Sequence, residues 1–234
     1  MDQQQMQSVD QVITSRHSVR AFLETPIDVE ILKDILRVAS RAPSGTNTQP
    51  WKVYVVQGQK RDELVKKVCA AQVELFHHPE LAKNYQETFP YYPEQWFSPY
   101  IDRRRENGWG LYGLLNIQKG EKEKMAQQQL RNFKLFDAPV GLFFTVHQSL
   151  GIGSKMDLAM MIQNVMLAAK ARGLDTCPQA AWNHVHSIVL DTLNASEDEE
   201  LVCGMALGYA DPDHIVNTFI TPRVPVEDFA VFLE

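Results

Sequence analysis

The run Pro139-Val140-Gly141-Leu142-Phe143-Phe144-Thr145-Val146 is apolar at nearly every position and opens on a proline. A strand with one wet face alternates polar and apolar residues, so an unbroken run marks a fully buried strand. Leu201 to Tyr209 reads the same way, interrupted by Gly204 and Gly208. Trp51-Lys52-Val53-Tyr54-Val55-Val56 is a further strand, and residues 174–182 form a strand or extended loop.

Helical periods separate these stretches. Val9, Val12 and Ile13 suggest a short first helix ending at Arg16-His17-Ser18, with residues 1–7 expected to fray. After Pro26, Asp28 is a good N-cap for a helix carrying Val29, Ile31, Leu32, Ile35, Leu36 and Val38. Residues 59–76 are amphipathic, 119–134 form a charged helix, and 184–193 another helix. Met156 to Ala171 is a long apolar helix, central or at a subunit contact, stopped by Gly173. Residues 77–118 break the pattern with Phe89-Pro90-Tyr91-Tyr92-Pro93, Trp96-Phe97, Pro99-Tyr100 and Trp109, an irregular excursion with some helix. Strands and helices alternate without internal repeats, so the chain is α/β or α+β, with residues 1–234 counted as one domain.

The totals narrow the function classes. Hydrophobic residues are 44% of 234, enough for a substantial core. A net charge of −6 argues against nucleic acid or an anionic membrane as the main partner, so any bound anion needs locally placed cations. Cys69, Cys177 and Cys203 are widely spaced, forming neither a disulfide framework nor a zinc pattern. The glutamine-rich start lacks a signal-peptide pattern, and no apolar run has the roughly 20 residues of a membrane span. These features predict a soluble protein of a reducing compartment, the cytoplasm.

Two stretches carry candidate chemistry. In Arg16-His17-Ser18-Val19-Arg20, an extended backbone points Arg16, Ser18 and Arg20 the same way. Two guanidinium forks and a hydroxyl make a phosphate clamp, although the same pattern alone also describes a solvated basic surface. In Arg41-Ala42-Pro43-Ser44-Gly45-Thr46-Asn47-Thr48-Gln49-Pro50-Trp51, prolines and a glycine fix a loop dense in donors and acceptors. Its Asn and Gln suit the edge of a flat heterocycle, and the competing reading is a self-capped polar turn.

Other matches fail on context. Gly108-Trp109-Gly110-Leu111-Tyr112-Gly113 spells a dinucleotide fingerprint, but Asp102 to Asn107 before it cannot be a buried strand. Gly151-Ile152-Gly153-Ser154-Lys155 lacks the spacing of a phosphate loop. His77-His78 and His184-x-His186 have no third ligand at metal spacing, so no metal is expected. Cys177 reads as a packed thiol.

Arg16-His17-Ser18-Val19-Arg20, Ala42 to Trp51, Cys177-Pro178-Gln179-Ala180-Ala181 and Thr221-Pro222-Arg223, in that order, resemble the FMN-dependent nitroreductase family over about residues 9–225. The resemblance implies an α+β fold with a mixed sheet flanked by helices, and an intertwined homodimer with FMN at the interface. It implies that Arg16, Ser18, Arg20 and Arg223, with His17 among them, hold the FMN phosphate. Pro43, Ser44, Asn47 and Gln49 would line the isoalloxazine. Pro178, Gln179 and Ala180 would lie along its face and supply backbone N–H groups, with Arg20 a candidate beside N1. The flavin would carry the electrons, so no catalytic acid or base is expected. NADH or NADPH would donate in a ping-pong cycle to a nitroaromatic or quinone acceptor. The 85–115 segment would form a lid in which Tyr91, Tyr92, Trp96, Phe97 and Trp109 stack on the acceptor, with interface packing the competing role. A related flavoenzyme acting on another acceptor (ring-substituent removal, dehalogenation, enone reduction) and a non-catalytic FMN-binding protein are the alternatives.

Overall fold

A computed structural model describes residues 3–234. Four strands, β1 (Lys52–Gln57), β2 (Val140–His147), β3 (Asp175–Gln179) and β4 (Glu199–Gly208), form a sheet in the order β1-β2-β4-β3. All three pairings are antiparallel, with Val55 opposite Leu142, Leu142 opposite Met205, and Thr176 opposite Leu207. The mixed character expected of the sheet rests, within the described residues, on one isolated parallel bridge between Ser18 and Thr176.

β2 is central and its period of two explains its unbroken apolar run. Val140, Leu142, Phe144 and Val146 enter one core, and Phe143 enters the other. The first core packs the sheet against α2 (Val29–Ala39) and α6 (Ile152–Lys170) through Leu32, Ile35, Leu158, Met161 and Val165. The second packs it against α3 (Gly58–His77), α5 (Lys122–Phe133) and α7 (His186–Leu193) through Leu64, Val68, Phe133 and Val189. The helix–sheet–helix arrangement bears out the α+β expectation.

Most elements lie where the periodicity puts them. Asp28 caps α2 by accepting from the Glu30 N–H at 2.9 Å. Gly173 follows α6 with φ +73°, a conformation that favours glycine. One expectation needs correction. The first helix, α1, runs Gln3–Ser15, so residues 3–7 are helical; Met1 and Asp2 lie outside the described residues. The helix expected within the excursion is α4 (Tyr100–Leu114), and the glycines of the rejected fingerprint all lie inside it.

Candidate functional site

Ser18 anchors the first half of the site. Its parallel bridge to Thr176, with the Val19 N–H donating to Thr176 O at 3.2 Å, lays residues 16–20 in extended form along the free edge of β3. The charges of Arg20 and Arg16 and the hydroxyl of Ser18 all act on one group, the Cys177 thiol. Burial pushes that thiol up to about 11, while the Arg20 charge, a hydrogen bond from Ser18 and the Arg16 charge pull it down. A thiol so buried and so rarely ionised is packing, as its sequence context suggested.

Both arginines are half-buried, and among the described residues neither has a carboxylate partner, whereas Arg61, Arg131 and Arg172 each do. Among the described residues the Arg20 guanidinium donates only to Ser18 O, at 3.1 Å. The His17 Nε2 atom is buried without a hydrogen-bond partner among the described residues. Half-buried guanidinium groups without a carboxylate partner among the described residues are costly in an unliganded protein and fit an oxyanion. The residues present therefore suit the phosphate end of FMN.

A residue that sequence reasoning missed holds this half in place. Asn217 accepts from the Arg20 N–H at 2.9 Å and donates to Ala21 O and Asp211 O at 2.8 and 2.9 Å. A lone Asn in a polar tail gives no periodic signal to find it by. Arg223, further along the tail, is not joined to the cluster by any hydrogen bond or ion pair among the described residues. It is exposed, and its fork wraps Thr221 O, Thr221 Oγ1 and Pro222 O.

The β3 end of the site is rigid. The Gln179 side chain is buried and points away from the free edge, donating to Asn132 O at 2.7 Å and accepting from Trp182 Nε1 at 3.3 Å. Only its backbone can serve a ligand, so the expectation for Pro178, Gln179 and Ala180 narrows to main-chain groups beside the half-buried Pro178 ring. Trp182, fully buried, packs edge-on against Phe133 and Phe143 at 5.4 and 4.9 Å and fixes the turn Ala180–Val185.

The Pro43–Gln49 loop makes the second half, and no hydrogen bond or ion pair among the described residues joins it to the arginines. It binds itself and α6: Ser44 Oγ accepts from the Gln49 N–H at 3.0 Å, Gln49 Nε2 donates to Asn47 O at 3.2 Å, and the Gly45 N–H donates to Asp157 at 3.0 Å. Thr46, Asn47 and Gln49 have φ of 50°, 61° and 48°, strain that Gly45 does not absorb. The Asn47 carboxamide is exposed and makes no hydrogen bond among the described residues.

The lid aromatics fall into groups. Tyr91–Tyr92 and Tyr92–Trp96 meet at 4.7 and 5.4 Å, Phe97 packs on Tyr100 at 5.1 Å, and Trp109 on Tyr112 at 6.1 Å. Thr88 clamps the start of the aromatic-rich 85–115 segment, its N–H and Oγ1 each donating to Asn183 Oδ1 at 2.9 Å. A cavity of about 660 Å³ lies elsewhere, between α3 and α5, and holds none of the predicted residues. Lys155, in the phosphate-loop lookalike, pairs with Glu200 at 2.8 Å instead. His184 faces Tyr85, and His78 pairs with Glu80 at 3.3 Å. Among the described residues no group of three metal-binding side chains occurs, and no helix is long and apolar enough to cross a membrane.

An Arg-x-Ser-x-Arg segment bridged to the edge strand of an antiparallel sheet, together with a strained polar loop, belongs to an α+β protein with groups suited to a phosphorylated ligand. The chain belongs to the nitroreductase family, whose model matches residues 13–209. It is 38% identical to the chloronitrobenzene nitroreductase of Comamonas testosteroni, covering 96% of each chain. It is 37% identical to the 4-nitrobenzoate reductase of Pseudomonas putida, covering 96% of this chain and 95% of that one. The FMN-dependent nitroreductase NfnB of Mycobacterium smegmatis, solved in complex with NADPH, superposes with a TM-score of 0.90 at 28% identity, over 98% of this chain and 99% of that one.

Proposed function

We propose that this protein is an FMN-dependent oxidoreductase that uses NADH or NADPH to reduce nitroaromatic or quinone acceptors. The observation that carries the reading is the pair of half-buried arginines, without a carboxylate partner among the described residues, that flank Ser18 at its bridge to β3. Bound FMN would supply reversible two-electron chemistry between nicotinamide and acceptor. Arg16, Ser18 and Arg20 hold its phosphate, with His17 beside them and Arg223 swinging in from the tail. Main-chain groups from Pro178 to Ala180 line its ring. No side-chain acid or base is required.

The loop Pro43–Gln49 completes the site of a second copy, which accounts for its strain, for the Asn47 amide that makes no hydrogen bond among the described residues, and for the absence among them of a hydrogen bond from the loop to the arginines of its own chain. We therefore read the protein as a homodimer of single-domain chains, with residues 77–118 as the lid. Three free cysteines suit a reducing, cytoplasmic setting. The matched relatives are named for a neutral and for an anionic acceptor at nearly equal identity, 38% and 37%, so whole-chain likeness does not choose between them.

The test is an absorbance spectrum of the purified protein, then anaerobic addition of each nicotinamide. A yellow protein bleached by one of them is expected; a colourless protein that takes up no FMN refutes the reading. Arg16→Ala is expected to lose most bound FMN, by about tenfold or more in affinity for a charge-assisted contact, with unchanged helix content by circular dichroism.

A further inference from the structure

We propose that the lid carries a subsite for ring-borne anions, built from Tyr92, Trp96 and Arg104, that makes aromatic nitro acids the preferred acceptors. The proposal rests on the acceptor reading above and adds the charge of the substrate to it.

Arg103, Arg104 and Arg105 stand together in α4 of a chain whose net charge is −6. Arg105 lies 4.0 Å from Asp102, but among the described residues Arg103 and Arg104 have no carboxylate partner. Each lies over a ring instead. The Arg104 guanidinium is 4.7 Å from the Trp96 ring centre and 5.9 Å from that of Tyr92, and Arg103 is 5.8 Å from that of Tyr100. A guanidinium held face-on by a ring keeps its in-plane N–H donors free, and Arg104 makes no hydrogen bond among the described residues. Planar donors of this kind take a carboxylate in two parallel bonds.

The rings supply the rest. Tyr92 and Trp96 meet at 45°, Tyr91 stands edge-on to Tyr92 at 83°, and both tyrosines are exposed. An electron-poor nitroarene stacks favourably on electron-rich phenol and indole faces. One ligand thus satisfies both halves: a flat, electron-poor ring whose anionic substituent reaches Arg104.

The elements of the cofactor site hold this corner at both ends. Thr88 ties the segment before it to Asn183, in the turn that follows Pro178 and Gln179. The backbone of Gly110, after it, lies so close to the Phe219 ring that a Cβ would meet it at 2.8 Å, and Phe219 follows the Asn217 that holds Arg20.

The test compares 4-nitrobenzoate with methyl 4-nitrobenzoate, similar in ring and nitro group but different in charge. The holoenzyme is expected to favour the acid in kcat/KM. Arg104→Gln is expected to lower the acid-to-ester ratio about tenfold, Arg104→Lys to keep most of it, and added salt to shrink it. Equal losses for both acceptors, or an unchanged ratio, overturn the subsite while leaving the oxidoreductase reading intact. Calorimetric titration with the same two compounds reads binding without turnover. Arg104-dependent selection of the acid by a protein that reduces neither compound would uphold the subsite and sink the oxidoreductase reading; no selection by titration overturns the subsite.

Discussion

Glu199 gathers four donors from three directions. Lys52 Nζ reaches it at 2.5 Å, Tyr54 OH at 2.7 Å, Thr145 Oγ1 at 2.7 Å and the Ser196 N–H at 3.2 Å. Burial alone would raise its carboxyl, but the hydrogen bonds from Lys52, Thr145, Tyr54 and Ser196 outweigh it and hold the group at about 2. Lys52 is pushed up in turn by the same partner. A carboxyl whose folded value lies below its unfolded 4.5 adds stability that is complete above pH 4.5 and fades as the pH falls toward 2. A drop of that size corresponds to at most about 3 kcal/mol. Glu199→Gln is therefore expected to lose about 2 kcal/mol in urea unfolding at pH 7, and to show a flatter pH dependence between 4.5 and 2 than the parent. An equal loss at pH 7 and pH 2.5 would reject the charge as the cause. None of this is legible in the sequence, where Glu197-Asp198-Glu199-Glu200 reads as a solvated acidic run. The three strands that meet at Glu199 are far apart along the chain.

The buried strands were readable because apolar composition records burial on both faces, whatever the pairing. The helix of the excursion was legible only as some helix, without its bounds. α4 contains Gly108, Gly110 and Gly113, each unfavourable in a helix by roughly 1 kcal/mol, and not one of its residues is buried to set an apolar stripe. Its place is fixed by contact, since Gly110 lets the Phe219 ring approach its backbone. Gly204 in β4 works the same way and constrains the site more tightly. A Cβ there would lie 2.4 Å from Trp182 Cδ1, and Trp182 cannot retreat because Phe133 and Phe143 stand edge-on against it. Trp182 fixes the turn that follows Pro178 and Gln179. Gly204→Ala is thus expected to cost about 3 kcal/mol, lowering Tm by about 10 °C, and to weaken FMN retention in the folded fraction. An unchanged Tm would mean the strand gives way where the packing says it cannot. In the sequence Gly204 reads only as an interruption of a strand.

At the scale of the whole molecule, sequence and single chain differ most sharply over how the site is put together. The motifs lie in one line of text, yet among the described residues no hydrogen bond or ion pair joins the arginine half to the Pro43–Gln49 half, whose loop is tied to α6 through Asp157. Large apolar side chains elsewhere point the same way. Met6, Val9 and Ile13 of α1, Ile152 and Met156 of α6, and Phe229, Val231, Phe232 and Leu233 of the tail are all exposed, Leu233 at 91%. Patches of this extent on separate elements are a liability in a lone chain and an asset in an intertwined pair. Covering one Phe or Leu side chain is worth about 1.5–3 kcal/mol before the entropy of association is set against it. In a symmetric pair each tail substitution counts twice. Phe232→Glu with Leu233→Glu is therefore expected to raise the dimer dissociation constant at least about a hundredfold, converting dimer to monomer at micromolar concentration in sedimentation velocity. FMN should leave with the partner, because each site then lacks its Pro43–Gln49 loop. A monomeric double variant that keeps one FMN per chain would show that one chain builds the site alone. A wild-type protein that sediments as a monomer with its full complement of FMN would remove the dimer altogether.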